Sequence, residues 1–334
     1  MLFRNIFSGR TRPARAPRNS ANQAAPARLS TQTLRLLDRL RLNTGPFMPG
    51  LPAGSRISQM RKPAADFRDH RQYTPGDDVR YVDWKASARQ EHVFVKQGEI
   101  PKAAMVYILI DCSASMRWGN PPKSQAALAL ASALGYLALS HSDRLVIVPV
   151  TGSAPATSAA AASRQTTQSF QRMGPFWGKG QAPMLNSYFE GLRFEGQINL
   201  TQAVVQLSQR KLSQGGLVLV ITDMFGSDGL PKALARLQAP AWQVVFCHML
   251  HPDEVNPELN GYFEMLDIET QQKKRYQITA KVLETYRQRL QAWQSELAQM
   301  CLESSAVYSM FPTNWSLESE MIAQLQRIRV VERL

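Results

Sequence analysis

The chain has 334 residues, is 44% hydrophobic and carries a formal net charge of +13 at pH 7. This length and apolar content are ample for a sizeable core, and we expect one principal domain with additions. The three cysteines, Cys112, Cys247 and Cys301, are scattered along the chain. Their spacing excludes a disulfide framework and a zinc pattern, and it fits a reducing cytoplasm.

The positive charge is concentrated at the N terminus. Residues 1–41 contain nine arginines against one acid, Asp38, whereas the rest of the chain is close to neutral. Residues 1–29 contain too few large apolar side chains to pack, so we expect a disordered basic tail there. Three roles remain open: a solvated extension, a transit peptide, or a tether through residues 1–41 that makes weak contacts with anionic lipid or nucleic acid.

Residues 30–102 are expected to hold an N-terminal helix and a signature segment packed on the main domain. Leucines recur on one face between Thr31 and Leu42, which indicates an amphipathic helix. Further on, Thr74-Pro-Gly-Asp77 is typical of a tight turn. Acids then alternate with bases: Asp77, Asp78 and Asp83 with Arg80, Lys85 and Arg89. This pattern indicates either an internal salt-bridge network or a recognition surface with Trp84 as its aromatic anchor.

Residues 103–334 alternate between apolar runs and helical patterns. This order predicts an α/β fold with a mostly parallel sheet and helices on both faces. Residues 151–185 are rich in small and polar residues and are interpreted as a long flexible insertion. A hairpin and helices after Tyr262 form a C-terminal α/β extension. No apolar run approaches the roughly 20 residues of a membrane span, so we expect a cytoplasmic protein, with a peripheral position at the inner membrane as the alternative.

Two of the predicted strands end in an aspartate. One run leads into Asp111-Cys-Ser-Ala-Ser115, and a second, Leu217–Thr222, leads into Asp223. Parallel strands end at the same edge of a sheet, where ligand sites collect. Carboxylate and hydroxyl oxygens suit a hard divalent cation. We therefore predict a site for Mg²⁺, with Mn²⁺ or Ca²⁺ as alternatives, formed by Asp111, Ser113, Ser115 and Asp223. The competing interpretation is a turn and helix cap.

The Asp111–Ser115 motif resembles the metal-ion-dependent adhesion site of von Willebrand factor A domains. The resemblance implies a Rossmann-type fold in which an aspartate and two serines bind the metal and a second aspartate acts through water. Asp223 matches that second aspartate. The family also uses a threonine from a later loop, but Ile198 stands at that position in this chain. Asn199 or Thr201 would then have to supply the missing oxygen.

The signature segment closely resembles the hallmark of the bacterial family known as domain of unknown function 58. The matching positions are Tyr73, Gly76, Asp77, Asp78, Arg80, Asp83, Trp84 and Arg89. In that family the segment precedes a von Willebrand A-like fold, and members are thought to act with MoxR-type AAA+ ATPases. The resemblance therefore implies such an ATPase as a partner.

These features favour binding over catalysis. A cation held by two serines and carboxylates keeps a coordination position free, which an acidic side chain of a partner protein could fill. Catalysis would need a positioned base or nucleophile, and no histidine accompanies the motif. We expect a metal-assisted interaction module, or adaptor, that helps to remodel or mature a protein complex. One alternative is a metal-dependent hydrolase in which Asp111, Asp223 and the cluster of Asp77, Asp78 and Asp83 converge on the ion. The other is a nucleic-acid or membrane-surface protein that binds through its tail.

Overall fold

The computed structural model describes residues 29–44, 61–63, 69–75, 78–89, 92–99, 103–152, 172–209, 215–225, 227, 229–237, 241–268 and 272–334. The chain divides into two compact units. The larger contains residues 1–48 and 104–334, and the smaller contains residues 49–103. The predicted basic tail falls on residues 1–28 and Leu29, and of these only Leu29 lies within the described part.

The larger unit is built on a six-stranded sheet. Its strands are β5 (Met105–Asp111), β6 (Arg144–Val150), β7 (Met173–Trp177), β8 (Gly216–Thr222), β9 (Trp242–Leu250) and β12 (Val307–Pro312), in the order β12-β9-β8-β5-β6-β7. All neighbouring pairs are parallel except β6 and β7, which are antiparallel. The predicted α/β class with a mostly parallel sheet is therefore confirmed. The finer von Willebrand A-like assignment stays a prediction.

Helices of the larger unit connect and cover these strands. They are α1 (Thr31–Leu37), α3 (Lys123–Ser140), α4 (Ala182–Glu190), α5 (Leu200–Gln209), α6 (Leu230–Leu234), α7 (Pro252–Val255), α8 (Ala280–Glu303) and α9 (Ile322–Arg327). A π-helical turn, Leu317–Met321, leads directly into α9. In the described part of the chain, no helix combines the length and the apolar character needed to cross a membrane.

Side chains of the central strand alternate between two apolar cores. Val106, Ile108 and Ile110 face the core that contains α3, whereas Tyr107 and Leu109 face the core that contains α5 and α6. Successive residues of a strand point to opposite faces, so a strand covered on both sides must be apolar throughout. This burial fixes β5 at the centre of the sheet and brings the ends of β5 and β8 side by side.

Part of the predicted flexible insertion is regular. Residues 153–171 lie outside the described part, but β7 and α4 occupy much of the remainder, and Leu185 and Phe189 of α4 are buried. The sequence pattern hid β7 because Gly174-Pro175 interrupts it. Proline lacks the N–H that a central strand needs, but it is tolerated in an edge strand, which is the position of β7.

Two small antiparallel pairs complete the larger unit. β1 (Leu40–Leu42) pairs with β13 (Val331–Arg333), which joins segments from opposite ends of the chain. β10 (Gly261–Leu266) and β11 (Lys273–Ile278) form the predicted C-terminal hairpin. The predicted N-terminal helix corresponds to α1 and lies in this unit, because its Leu37 is buried in the core that contains α3.

The smaller unit contains the signature segment. Its three-stranded antiparallel sheet has the order β2-β4-β3, from β2 (Arg61–Pro63), β3 (Asp69–Gln72) and β4 (Phe94–Glu99). A 3₁₀ turn, Val79–Tyr81, and the short helix α2 (Trp84–Ser87) stand between β3 and β4.

Candidate functional site

The loop after β5 gathers the first three predicted ligands. Asp111 ends the strand, and its Oδ1 accepts a hydrogen bond from the backbone N–H of Ser113 over 2.8 Å. A 3₁₀ turn, Ala114–Arg117, then brings the hydroxyl oxygens of Ser113 and Ser115 within 2.8 Å of each other. The loop thus presents a carboxylate and two hydroxyl groups from five consecutive residues, as the motif predicts.

The turn after β8 holds Asp223 in place. Met224, the next residue, has a φ of 62° although it is neither glycine nor asparagine, and it is fully buried. A bulky side chain in this left-handed region is strained, and such residues persist where the surrounding structure fixes them. The turn is closed by the N–H of Phe225, which donates to Oδ1 of Asp223 over 3.3 Å. Ser115 also forms a side-chain hydrogen bond with Asp223.

Thr222 links the two strand ends directly. Its hydroxyl donates to Oδ2 of Asp111 over 2.6 Å and accepts from the N–H of Met224 over 3.0 Å. Both oxygens of Asp111 are therefore hydrogen-bonded within the protein. Thr222 was not among the predicted site residues, although its position immediately before Asp223 at a strand end was a usable signal.

A buried lysine approaches Asp223. Lys123 is the first residue of α3, and its Nζ lies 3.0 Å from Oδ2 of Asp223 and 2.8 Å from Oε1 of Glu254. The ammonium also lies 5.6 Å from the centroid of the Phe225 ring. Neither Lys123 nor Glu254 was among the predicted site residues. Nothing local in the sequence pairs them with Asp223, from which Lys123 is separated by 100 positions.

Glu254 is held on α7 by its own hydrogen bonds. Its Oε2 accepts from the N–H of His251 over 2.8 Å, and the His251 ring accepts from the N–H of Asp253, which completes a capping box. The hydroxyl of Tyr286 donates to the carbonyl of Glu254 over 2.5 Å. The Glu254 carboxylate is therefore held by the cap of α7, the Glu254 backbone is held by α8, and the other carboxylate oxygen contacts Lys123.

Charge and burial act differently on the two predicted ligand aspartates. Burial, followed by the charge of Asp223, raises the pKa of Asp111 to about 7. Burial alone would also raise the pKa of Asp223, but the Lys123 ammonium and hydrogen bonds from Ser115 and Lys123 lower it below its usual value. The pKa of Lys123 is raised because Asp223 and Glu254 outweigh the effect of burial. Asp223 is thus the ionised partner of Lys123, whereas ionisation of Asp111 is opposed by its burial and by the charge of Asp223.

The loop proposed to replace the missing threonine runs beside the Asp111 loop. The N–H of Glu195 donates to the carbonyl of Cys112, and the N–H of Ala114 donates to the carbonyl of Gly196. Ile198 is buried in the core that contains α5, so its side chain fills core space.

The two candidate oxygen donors that follow lie at the start of α5. Asn199 is exposed, and its Oδ1 accepts from the N–H of Gln202 over 2.9 Å, which is a helix-capping contact. Thr201 is half-buried in the first turn of α5. The structure thus brings Asp111, Ser113, Ser115 and Asp223 together, and it gives Asn199 a capping role.

The described acids of the signature segment bind groups of their own segment. Asp78 accepts from the N–H of Arg80, and its Oδ2 lies 2.6 Å from the Arg80 guanidinium. Oδ1 of Asp83 accepts from the N–H groups of Lys85 and Ala86, which caps α2. The Asp78–Arg80 contact is an ion pair, whereas the Asp83 contacts cap a helix, so both interpretations of the segment stay predictions.

The remaining signature positions have different surroundings. Trp84 is 66% exposed, as a recognition surface would require, and Arg89 is exposed as well. Tyr73 is half-buried, and its N–H donates to the carbonyl of Val93. Gly76 and Asp77 lie outside the described residues. The segment therefore combines acids that stabilise local structure with an exposed aromatic side chain.

A cation at this site would depend on hydroxyl oxygens as well as carboxylates. Within the described ranges, no group of three or more His, Cys, Asp or Glu side chains is arranged to hold a metal ion. The donor set is instead two serines with two aspartates, which is suited to hard cations alone.

Comparison with known proteins identifies the family. The family described as "Protein of unknown function DUF58" matches residues 69–296, and the chain belongs to it. Uncharacterized protein Rv1480 of Mycobacterium tuberculosis is 24% identical over 264 residues, which covers 78% of this chain and 79% of the relative. Uncharacterized protein Mb1516 of Mycobacterium bovis has the same identity and coverage.

Two solved structures are partly similar to that of this chain. The conserved hypothetical protein BatB from Bacteroides thetaiotaomicron gives a TM-score of 0.42 at 13% identity, over 68% of this chain and 98% of that one. An aerotolerance-related membrane protein from Bacteroides fragilis gives a TM-score of 0.39 at 15% identity, with the same coverage.

Proposed function

We propose that this member of the DUF58 family is a metal-assisted protein–protein interaction module with a von Willebrand A-like fold. In this proposal Asp111, Ser113 and Ser115 hold a Mg²⁺ ion, and Asp223 supports it. The observation that carries the proposal is the meeting of these four side chains at the carboxyl ends of β5 and β8. Mn²⁺ or Ca²⁺ would suit the same oxygens.

The charge of the cluster supports a bound cation. Asp111, Asp223, Glu254 and Lys123 are at most 7% exposed. With all four ionised, three negative charges face one positive charge, which leaves two negative charges in a poorly solvated place. Unpaired buried charges are costly, so the cluster favours either a proton on Asp111 or a divalent cation.

The hydroxyl contacts support the same conclusion. The hydroxyl oxygens of Ser113 and Ser115 lie 2.8 Å apart, so one hydroxyl donates to the other. Both are hard oxygen acceptors that a divalent cation could bind.

Each residue of this chain has a defined part in the proposed binding. Thr222 and the N–H of Ser113 orient the Asp111 carboxylate, while Lys123 balances the charge of Asp223. Ser115, at 9% exposure, is more exposed than Asp111, Ser113 or Asp223. When bound, the cation would supply positive charge and a free coordination position for a partner's acidic side chain.

The partner in this proposal is a MoxR-type AAA+ ATPase, which the family resemblance implies. The exposed Trp84 would be a second contact point, since tryptophan is enriched among residues that dominate interface energetics. The module would act in the cytoplasm, with a peripheral position at the inner membrane as the alternative, and would help to remodel or mature a protein complex.

The experiment is a pull-down of a MoxR-type ATPase with Mg²⁺ or with EDTA. We expect capture by the native protein with Mg²⁺, and its loss with EDTA, with Asp111→Ala or with Ser113→Ala. Asp38→Ala is the matched control, because Asp38 is a partly exposed carboxylate that pairs with Lys179. Capture that is indifferent to EDTA and to both site variants would refute a role for the metal.

The two alternative functions stay predictions. A metal-dependent hydrolase would show Mg²⁺-dependent turnover that Asp111→Ala abolishes, but Asp78 and Asp83 are engaged within their own segment. Binding of nucleic acid or anionic lipid through residues 1–41 would fall steeply with salt and would be lost when residues 1–30 are removed.

A further inference from the structure

Lys123 has the surroundings of a bound cation. Its side chain is fully buried, and its ammonium contacts two carboxylates, Asp223 and Glu254, and the face of the Phe225 ring. Lysine is rarely buried to this extent unless it is paired. One carboxylate would neutralise it, so the second shows that the cluster holds more negative charge than Lys123 removes.

A backbone hydrogen bond and a ring contact also connect Lys123 to the loops of the site. It opens α3, and its N–H donates to the carbonyl of Trp118 over 2.9 Å, in the loop that follows Ser115. The ring of Trp118 meets that of His251 edge-on at 5.0 Å, and His251 caps the helix that carries Glu254. The ammonium, Asp223 and Glu254 are thus held from three separate elements.

We propose that Lys123 is a tethered cation of this site. Its ammonium occupies a cation position between Asp223 and Glu254, and it restricts the site to a single divalent ion. The second part rests on the proposed function. With Lys123 present, the fully ionised cluster has two excess negative charges, which one divalent ion neutralises. Without it, there are three, and Asp223 and Glu254 are open to an added cation. Lys123 is therefore a positioning residue that also determines specificity.

The test replaces Lys123 with methionine, which keeps much of the length and apolar character of the side chain and removes the charge. Full-length wild type and Lys123→Met are titrated with Mn²⁺ by calorimetry, and thermal unfolding is measured with Mn²⁺ or EDTA. We expect one Mn²⁺ per wild-type chain. The variant should unfold at a lower temperature in EDTA, recover with Mn²⁺, and bind Mn²⁺ on the order of tenfold more tightly or with a second equivalent.

The matched control is Lys179→Met. Lys179 also combines an ion pair, to Asp38 at 2.8 Å, with an aromatic neighbour, the Tyr136 ring at 5.2 Å. Its side chain is 55% exposed, so it is a surface version of the same arrangement. This variant should bind Mn²⁺ and respond to it as the wild type does.

A second variant covers the case in which Lys123→Met does not fold. The double change Lys123→Met/Glu254→Gln removes one charge of each sign, so no additional buried charge is created. Asp223 then lacks its ammonium partner, and Mn²⁺ should raise the unfolding temperature of this variant more than that of the wild type. Equal Mn²⁺ responses in the double variant and the wild type would overturn the role of Lys123.

The outcomes separate this inference from the proposed function. If the wild type binds no Mn²⁺ but the Lys123 variants gain Mn²⁺-dependent stability, Lys123 is the resident cation and the metal-assisted function fails. If the wild type binds Mn²⁺ and the Lys123 variants respond identically, the proposed site stands and the role of Lys123 is refuted. If none of the proteins responds to Mn²⁺, both are refuted.

Discussion

Two aspartate–cation pairs in this protein are both within hydrogen-bonding distance but differ in burial. Asp223 lies 3.0 Å from Lys123, with both side chains 1% exposed, whereas Asp78 lies 2.6 Å from Arg80, with side chains 36% and 81% exposed. Coulomb energy scales inversely with the effective dielectric, and solvent screens the exposed pair. The buried pair therefore interacts more strongly than the exposed pair, although the distances are similar.

The pKa values of neighbouring groups show the same difference. The exposed Arg80 lowers the pKa of Asp78 to about 2 through hydrogen bonds, with burial as a smaller opposing effect. In the buried cluster, burial is the largest effect and raises the pKa of Asp111 to about 7. The exposed Asp78 is ionised without a large desolvation penalty, whereas the buried carboxylates need a counter-charge or a proton.

The largest expected effect is the loss of the buried cation. Lys123→Met should lower the free energy of unfolding by about 3–5 kcal/mol in EDTA, because it leaves two buried carboxylates without their counter-ion. Urea denaturation followed by circular dichroism measures this. Lys85→Met, at an exposed position beside Trp84, is the control and should leave the urea midpoint unchanged. Equal urea midpoints for the two variants would contradict the distinction between the buried Lys123 cluster and the exposed signature segment.

The second effect is a pH dependence that originates at Asp111. Its folded pKa, about 7, lies above the ordinary aspartate value of 3.8, so ionisation is harder in the folded state. In EDTA, stability should fall as pH rises from about 4 to about 7, on the order of a few kcal/mol, and then level off. Asp111→Asn should flatten this profile in urea titrations between pH 5 and 8. A profile unchanged by the substitution would assign the pH dependence to another group.

The third effect distinguishes a bonded buried hydroxyl from an unbonded one. Thr222→Val removes the donor to Asp111 and the acceptor for the Met224 N–H, and should cost about 1–3 kcal/mol. Thr313→Val is the matched control, because Oγ1 of Thr313 is buried without a hydrogen-bond partner among the described residues. The control should be neutral or stabilising in the same denaturation assay. A similar loss in both variants would mean that packing, and not hydrogen bonding, fixes the two strand ends.

The smallest effect on stability concerns the exposed pair. Arg80→Ala should move the pKa of Asp78 from about 2 up towards 3.8, because the hydrogen bonds from Arg80 are the main cause of the lowered value. The unfolding midpoint should not change measurably, since exposed ion pairs contribute little. Carboxyl chemical shifts during an NMR pH titration give the pKa. An unchanged pKa would show that another group holds Asp78 ionised.

The meeting of Asp111 with Asp223 followed from the sequence because each lies at or directly after the end of an apolar strand, and Ser113 and Ser115 follow Asp111 in the same loop. Sheet topology brings such ends together whatever the intervening loops do, so Asp111, Ser113, Ser115 and Asp223 needed only the strand pattern. The α/β class followed from the same alternation. These features depend on periodicity, which a single sequence displays directly.

The buried lysine, Lys123, and the third carboxylate, Glu254, could not be predicted from the sequence, for a physical reason. Lys123 and Glu254 are 131 positions apart and meet only through the folded sheet. Locally, Lys123 opens a helix of small residues and Glu254 belongs to a capping box, and both patterns have an ordinary local explanation. β7 was missed for another reason: its edge position permits a proline that a central strand would exclude.

The pairing of β1 with β13 has a consequence for synthesis on the ribosome. The ion pair between Arg41 and Glu332 joins residues 291 positions apart. Leu40 and Leu42, both buried in the finished core, therefore leave the ribosome long before their partner strand has been translated. Contacts of such high sequence separation form late and expose apolar surface meanwhile. The pairing of β1 with β13 can therefore form only after the C-terminal strand has been synthesised.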